Sequence, residues 1–169
     1  MSALALAIPV VAERTGRQVT VVGGLAVVCR LSRLSHAWAA ATATPVTIRA
    51  AGFPDLAVDV AEPGALVAMK LQSVMNRGRA KEATDLLDII RLCLDPVSGP
   101  TVLTALAHSE PQLREDACRR AGRWFDQQAE RSLRLVRAVP EGQGIELDDL
   151  HLVGELLHNV LPVGGAEGI

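Results

Sequence analysis

The sequence predicts an α+β fold, with a small α/β lobe over residues 1–61 and a helical lobe over residues 62–169. Three observations carry this. Short β-branched runs bounded by turn residues are confined to the first sixty positions, as at QVTVV (18–22), PVTIRA (45–50) and LAVDV (56–60). After Glu62 the apolar residues recur at helical spacing, and proline and glycine fall between the periodic segments. The chain is 49% hydrophobic but has no tyrosine, two phenylalanines and two tryptophans. Ala, Val and Leu must therefore fill the core, which suits close-packed helices better than a broad sheet. At 169 residues one domain built of two lobes is expected.

In chain order, residues 3–14 read as an apolar helix with Gly16 as its stop. No Lys or Arg precedes the run and Pro9 interrupts it, so a buried first helix is favoured over a secretory signal. A strand at 18–22 runs into Gly23-Gly24 and then a helix from Leu25 to Leu34. Such a turn is usually only tight, but its glycines and free helix N–H groups also suit a phosphate. HAWAAATAT (36–44) is ambiguous. Strands at 45–50 and 56–60 flank a Gly52-Phe53-Pro54-Asp55 turn. Pro63 opens a helix that runs to about Asn76, Arg77-Gly78-Arg79 forms a hinge, and a second helix covers 81–94, ending before Pro96. Further helices are expected at 101–108, 111–137 and 147–161, with a loop at Gly142–Gly144 and a frayed tail from Gly164.

Net charge is −2, which by itself indicates neither nucleic acid nor membrane. No apolar run reaches the roughly 18 residues of a membrane span, so a soluble, cytoplasmic protein is expected. Cys29, Cys93 and Cys118 have no metal-ligand spacing and read as buried free thiols. His36, His108, His151 and His158 do not cluster with other ligand types.

The residues most suited to chemistry lie between Leu66 and Asp88. Lys70 is set in an otherwise apolar helix, either snorkelling to water or pointed at an anion. Asp85 and Asp88 share a face of the next helix. Lys81, four residues before Asp85, could form a weak local pair with it; alternatively an aspartate faces Lys70 and holds its ammonium for a triphosphate. Arg77, Arg79 and Lys81 crowd the hinge, where cations either cap a helix end or clamp phosphates. On the long helix Arg120, Arg123, Gln127, Arg131 and Arg134 fall on one face, beside a buried edge of Leu113, Ala117, Ala121, Trp124, Gln128 and Ser132. Asp126 and Glu130 lie just beyond this stripe. That makes a solvated, ion-paired face the plainer reading and an RNA-backbone track the sharper one.

Three segments together resemble the AbiEii/AbiGii-type nucleotidyltransferase family, the toxin half of type IV toxin–antitoxin systems. They are VTVVGGLAVVCRL (19–31), HAWAAATATPVTIRA (36–50) and EPGALVAMKLQSVMNRGRAKEATDLLDIIRL (62–92), about a third of the chain. The resemblance implies a nucleotidyltransferase-like fold and Mg²⁺-dependent transfer of a nucleotide from an NTP to RNA, with tRNA as acceptor and an antitoxin protein as partner. It implies Gly23 and Gly24 in the turn that receives the triphosphate; the phosphate-clamp reading of Arg77, Arg79 and Lys81 rests on the hinge residues themselves and would serve the same nucleotide. It implies Lys70 as the phosphate-binding lysine and Asp85 as the carboxylate of the same active site; the helical lobe fits the family only in general type, so an RNA contact at Arg120, Arg123, Arg131 and Arg134 rests on their spacing alone. The family also carries a strand with two metal-binding aspartates after the glycine turn. Residues 25–54 of this chain contain no Asp or Glu, so that strand is missing, the sheet is incomplete and the metal ligands are unknown. Nucleotidyl transfer depends on metal ions that bridge the phosphates, so the same resemblance implies impaired catalysis, or a pseudoenzyme that binds nucleotide, RNA or an antitoxin without chemistry.

Overall fold

A computed structural model of the chain describes residues 20–21, 33–74 and 79–161. The expected first helix, the Gly23-Gly24 turn with most of the helix after it, Cys29, Arg77-Gly78 and the tail from Gly164 lie outside the described residues. The chain divides into two compact units, Met1–Glu62 and Pro63–Ile169. It is mixed α+β and mostly helical, and all of its described strands lie in the first unit.

In the first unit, β1 (Thr20–Val21), β2 (Thr44–Ile48) and β3 (Leu56–Val60) form one sheet in the order β1-β3-β2. β3 is central. It pairs parallel to β1 through Thr20–Asp59 and Val21–Val60, and antiparallel to β2 from Thr44–Val60 to Ile48–Leu56. The β2–β3 connection turns at Gly52, whose φ of +83° is a conformation that glycine adopts without a Cβ clash. Phe53 N–H donates to the Ala50 carbonyl across that turn, and Arg49 pairs with Asp55 in the open. β2 is exposed along its whole length and lies at the sheet edge, where Pro45 withholds no needed ladder donor. The ambiguous alanine-rich stretch is helical as far as Ala41, in α1 (Arg33–Ala41), as alanine's high helix propensity favours, and its last residue, Thr44, opens β2.

In the second unit, α2 (Pro63–Ser73) and α3 (Arg79–Leu94) pack together, and α4 (Ser98–Ala107) lies against both. Pro63 is the first helical residue of α2, where its missing N–H costs nothing. α2 ends at Ser73, earlier than expected, and α3 starts at Arg79, inside the segment expected to be hinge. Asp95 starts α4 by accepting the N–H groups of Val97 and Ser98 at 3.0 and 2.7 Å. These bonds hold its carboxyl below the ordinary range, because they favour the charged form.

The helix expected over 111–137 stays helical but is not regular. α5 (Pro111–Ala121) passes into a π-helical turn, Gly122–Gln127, and then into α6 (Ala129–Arg137). The Gln128 N–H reaches back to the Arg123 carbonyl, one residue further than in an α-helix. The Trp124 carbonyl is taken instead by the fully buried Ser132 hydroxyl at 2.8 Å. A short 3₁₀ turn at Pro140–Gly142 leads to α7 (Leu147–Val160), which opens with a reciprocal Glu146/Asp149 capping box. α7 lies close against the π-turn because Gly154 has no side chain: a Cβ there would stand 2.6 Å from Asp126 Oδ1 and 3.3 Å from Phe125 Cβ. The core is mainly aliphatic, with Leu71, Leu86, Ile89, Ile90, Leu106, Val136, Leu150 and Leu157 buried together with the aromatic Phe125 and Trp124.

Candidate functional site

Lys70 extends from α2 to the facing side of α3. Apolar neighbours force this: Val67, Ala68, Met69 and Leu71 are all buried, so the ammonium can reach a polar partner only across the helix pair. It meets two. Lys70 Nζ donates to Asp85 Oδ1 at 2.9 Å and to Asp88 Oδ2 at 2.6 Å. The i, i+3 spacing of the aspartates sets both carboxylates beside one lysine. The pairing with Lys81 considered from sequence is replaced by these bonds across the hairpin, and Lys81 stands exposed.

The two carboxylates are not equivalent. The Asp85 side chain is 5% exposed, and its second oxygen accepts the Ser73 hydroxyl at 2.8 Å. The Ser73 oxygen also lies 3.1 Å from the Lys70 carbonyl, a second direction for the same proton. The Asp88 side chain is 46% exposed. Burial of Lys70 pulls its pKa down, but the hydrogen bonds with Asp88 and Asp85 outweigh this and leave it above its ordinary value. The ammonium is therefore charged at neutral pH and faces two negative charges, one locked and one at the surface.

This donor set does not suit a divalent cation. The ammonium already occupies the space between Asp85 and Asp88, and among the described residues no three His, Cys, Asp or Glu side chains converge. Asp59, the strand carboxylate nearest in type to the family's ligands, lies in β3 opposite Pro45 and Thr20. Gly23, Gly24 and Arg77 are outside the described residues, and of Arg79 only its place at the start of α3 is described.

The arginine row is divided. Arg120 is half-buried against Asp116, and burial lowers its pKa. Arg123 lies over the Trp124 ring at 5.4 Å from its centre. Arg131 makes a two-pronged pair with Glu82 of α3 at 2.5 and 3.0 Å, and also stands 5.5 Å from the Trp124 ring centre. The hydrogen bonds that Arg131 donates to Glu82 raise its pKa, so this guanidinium is committed to holding α6 on α3. Arg134 is exposed and lines a groove of about 430 Å³ with Arg131, Asp126, Glu130 and His151. Both signs of charge line that groove, and none of Lys70, Asp85 and Asp88 does. The π-turn also shifts register, so the constant 100° step that aligned the arginines does not hold across residues 122–127.

Sequence reasoning missed Ser73, Glu82 and the Trp124 stack. Ser73 was findable as the hydroxyl three residues after Lys70 on the same helix. Glu82 lies three residues before Asp85 on its face, and its burial followed from that face being turned inward. The Trp124 indole N–H is buried and has no hydrogen-bond partner among the described residues.

Two histidines have local partners: His108 Nδ1 is 2.8 Å from the Thr104 carbonyl, and His158 faces Asp126 at 3.5 Å. Among the described residues no single helix is long and apolar enough to cross a membrane. Comparison with protein-family models, with curated proteins and with solved structures finds no match to this chain.

Proposed function

We propose that the chain is a nucleotidyltransferase-type, toxin-like protein of the AbiEii/AbiGii kind, whose ancestral activity is NTP-dependent nucleotide transfer to RNA. Here it retains the nucleotide-binding lysine but is impaired in transfer. One observation carries the reading: Lys70 is charged and held by Asp85 across a helix pair, the relation that the resemblance assigns to the phosphate-binding lysine and its carboxylate. Nothing else on α2 offers an anion a positive charge. Impairment follows from the absence of Asp and Glu over residues 25–54 and from a Lys70 cluster that is unsuited to a metal ion. Removing one preorganised charge-stabilising donor from a transition state costs about 2.7–4 kcal/mol, and losing the ligands of a metal costs more. A second reading, a catalytically inactive relative that binds nucleotide, tRNA or an antitoxin protein, is favoured by the same two observations.

The test is incubation of the purified protein with each labelled NTP, Mg²⁺ and total tRNA, beside Lys70→Ala and a parallel binding measurement. Labelled RNA that disappears in the variant establishes a working transferase. Bound nucleotide without labelled RNA establishes the inactive binder. Neither signal, from a protein with a cooperative melting transition, overturns both readings.

A further inference from the structure

We infer that Asp88 is a displaceable carboxylate that occupies on Lys70 the place of an incoming phosphate oxygen, and so sets the affinity of the site for polyphosphate anions. This rests on the nucleotide-binding reading of Lys70. Three facts of geometry lead to it. The Lys70 ammonium holds both aspartates within hydrogen-bond distance. Asp85 is buried and pinned from its other side by Ser73, so it cannot leave without stranding a charge. Asp88 is nearly half exposed, and among the described residues Lys70 is its one hydrogen-bond partner, so it can swing into water with its charge solvated.

An anion that approaches Lys70 therefore exchanges with Asp88 and leaves Asp85 in place. Asp85 is a positioning residue: it keeps the ammonium at the helix pair while the outer partner changes. Asp88 opposes the exchange twice, by occupying the lysine and by adding a negative charge beside the phosphates. In this state one positive charge faces two negative ones, so the site repels a polyphosphate. Replacing Asp88 with a neutral isostere brings the cluster to zero.

The experiment is calorimetric titration of the full chain with inorganic tripolyphosphate and with ATP, in EDTA so that no metal contributes. The proteins are wild type, Asp88→Asn, Asp88→Ser and Asp88→Asn/Lys70→Gln. Removing one like charge within a few ångströms of the ligand at an effective dielectric near 20 is expected to tighten binding by about tenfold or more. The gain should appear in both single variants and vanish in the double variant. Equal or weaker binding in the single variants overturns the role of Asp88 and leaves the nucleotide reading standing. A gain that survives Lys70→Gln overturns it as well, because the anion then sits elsewhere. No binding by any protein, each with a cooperative melt, overturns the nucleotide reading and this inference together. The two single variants keep the Lys70–Asp85–Ser73 bonds, so each is expected to fold.

Discussion

Glu82 and Arg131, 49 residues apart, meet through two parallel hydrogen bonds that fasten α6 to α3. The Glu82 side chain is 7% exposed and the Arg131 side chain 38%. The carboxylate is thus buried on the strength of this partner. Arg131→Ala leaves it uncompensated and removes the stack on Trp124. The expected loss is about 2–4 kcal/mol, below the full cost of breaking a buried pair because water reaches the guanidinium side. Urea denaturation checks it, and Arg131→Lys should recover only part, since lysine cannot bridge both oxygens.

The Lys70–Asp85 pair obeys the same logic with a different readout. Lys70→Ala strands a carboxylate held only by Ser73, and is expected to cost about 3 kcal/mol or more. The double change Lys70→Met/Asp85→Leu should restore most of that, because no buried charge remains. A double-mutant cycle in urea measures the coupling.

The pH dependence follows from the direction of the lysine shift. Lys70 binds its proton more tightly folded than unfolded, so its contribution is fully present below the ordinary 10.5 and is lost as pH rises through its higher folded value. The buried thiols of Cys93 and Cys118, also raised in the folded chain, add to the loss of stability at alkaline pH, so the share that belongs to Lys70 is the part of the fall that its replacement removes. Melting temperature should fall above pH 10.5, and the fall should flatten in Lys70→Met/Asp85→Leu.

Ser132→Ala removes the hydroxyl that donates to the Trp124 carbonyl at the π-turn. A buried carbonyl left without its donor costs about 1–3 kcal/mol. Thermal melting should register the loss, while Ser132→Thr, which keeps the hydroxyl but adds a methyl at a fully buried site, should fall between the two.

Burial pushes the Cys93 thiol up to about 12 and raises Cys118 as well. Neither supplies thiolate at neutral pH in the folded chain. Alkylation by iodoacetamide at pH 8, read by peptide mass spectrometry, should leave both unmodified until denaturant is added.

Most of the helical lobe was legible because each helix is written locally. Apolar spacing, Pro63 at a start and Pro96 after an end all act within a few residues of the backbone they shape, whereas the Asp95 turn that starts α4 at Ser98 was not read. The Lys70 cluster was half legible for the same reason: a lone lysine in an apolar helix, followed by two aspartates on one face, leaves few ways to satisfy the charges. Which aspartate is locked and which is free was not legible, since that depends on how deep each side chain lies and on Ser73 reaching over from α2.

The arginine row shows the opposite case. Its alignment assumed a regular helix, and nothing in Gly122–Gln127 announces a π-turn. The extra residue per turn goes with the packing of Trp124, Phe125 and Ser132 into a core shared with α7, at a distance that Gly154 permits. The amino-acid order alone determined the place of most helices of the second unit, the aliphatic core and a lysine with two aspartates on facing helices, because these follow from periodicity and from local spacing. The tertiary structure alone decided the commitment of Arg131 to Glu82, the unequal exposure of Asp85 and Asp88 and the break in helical register. Each depends on contacts between helices far apart in the chain, which no local pattern encodes.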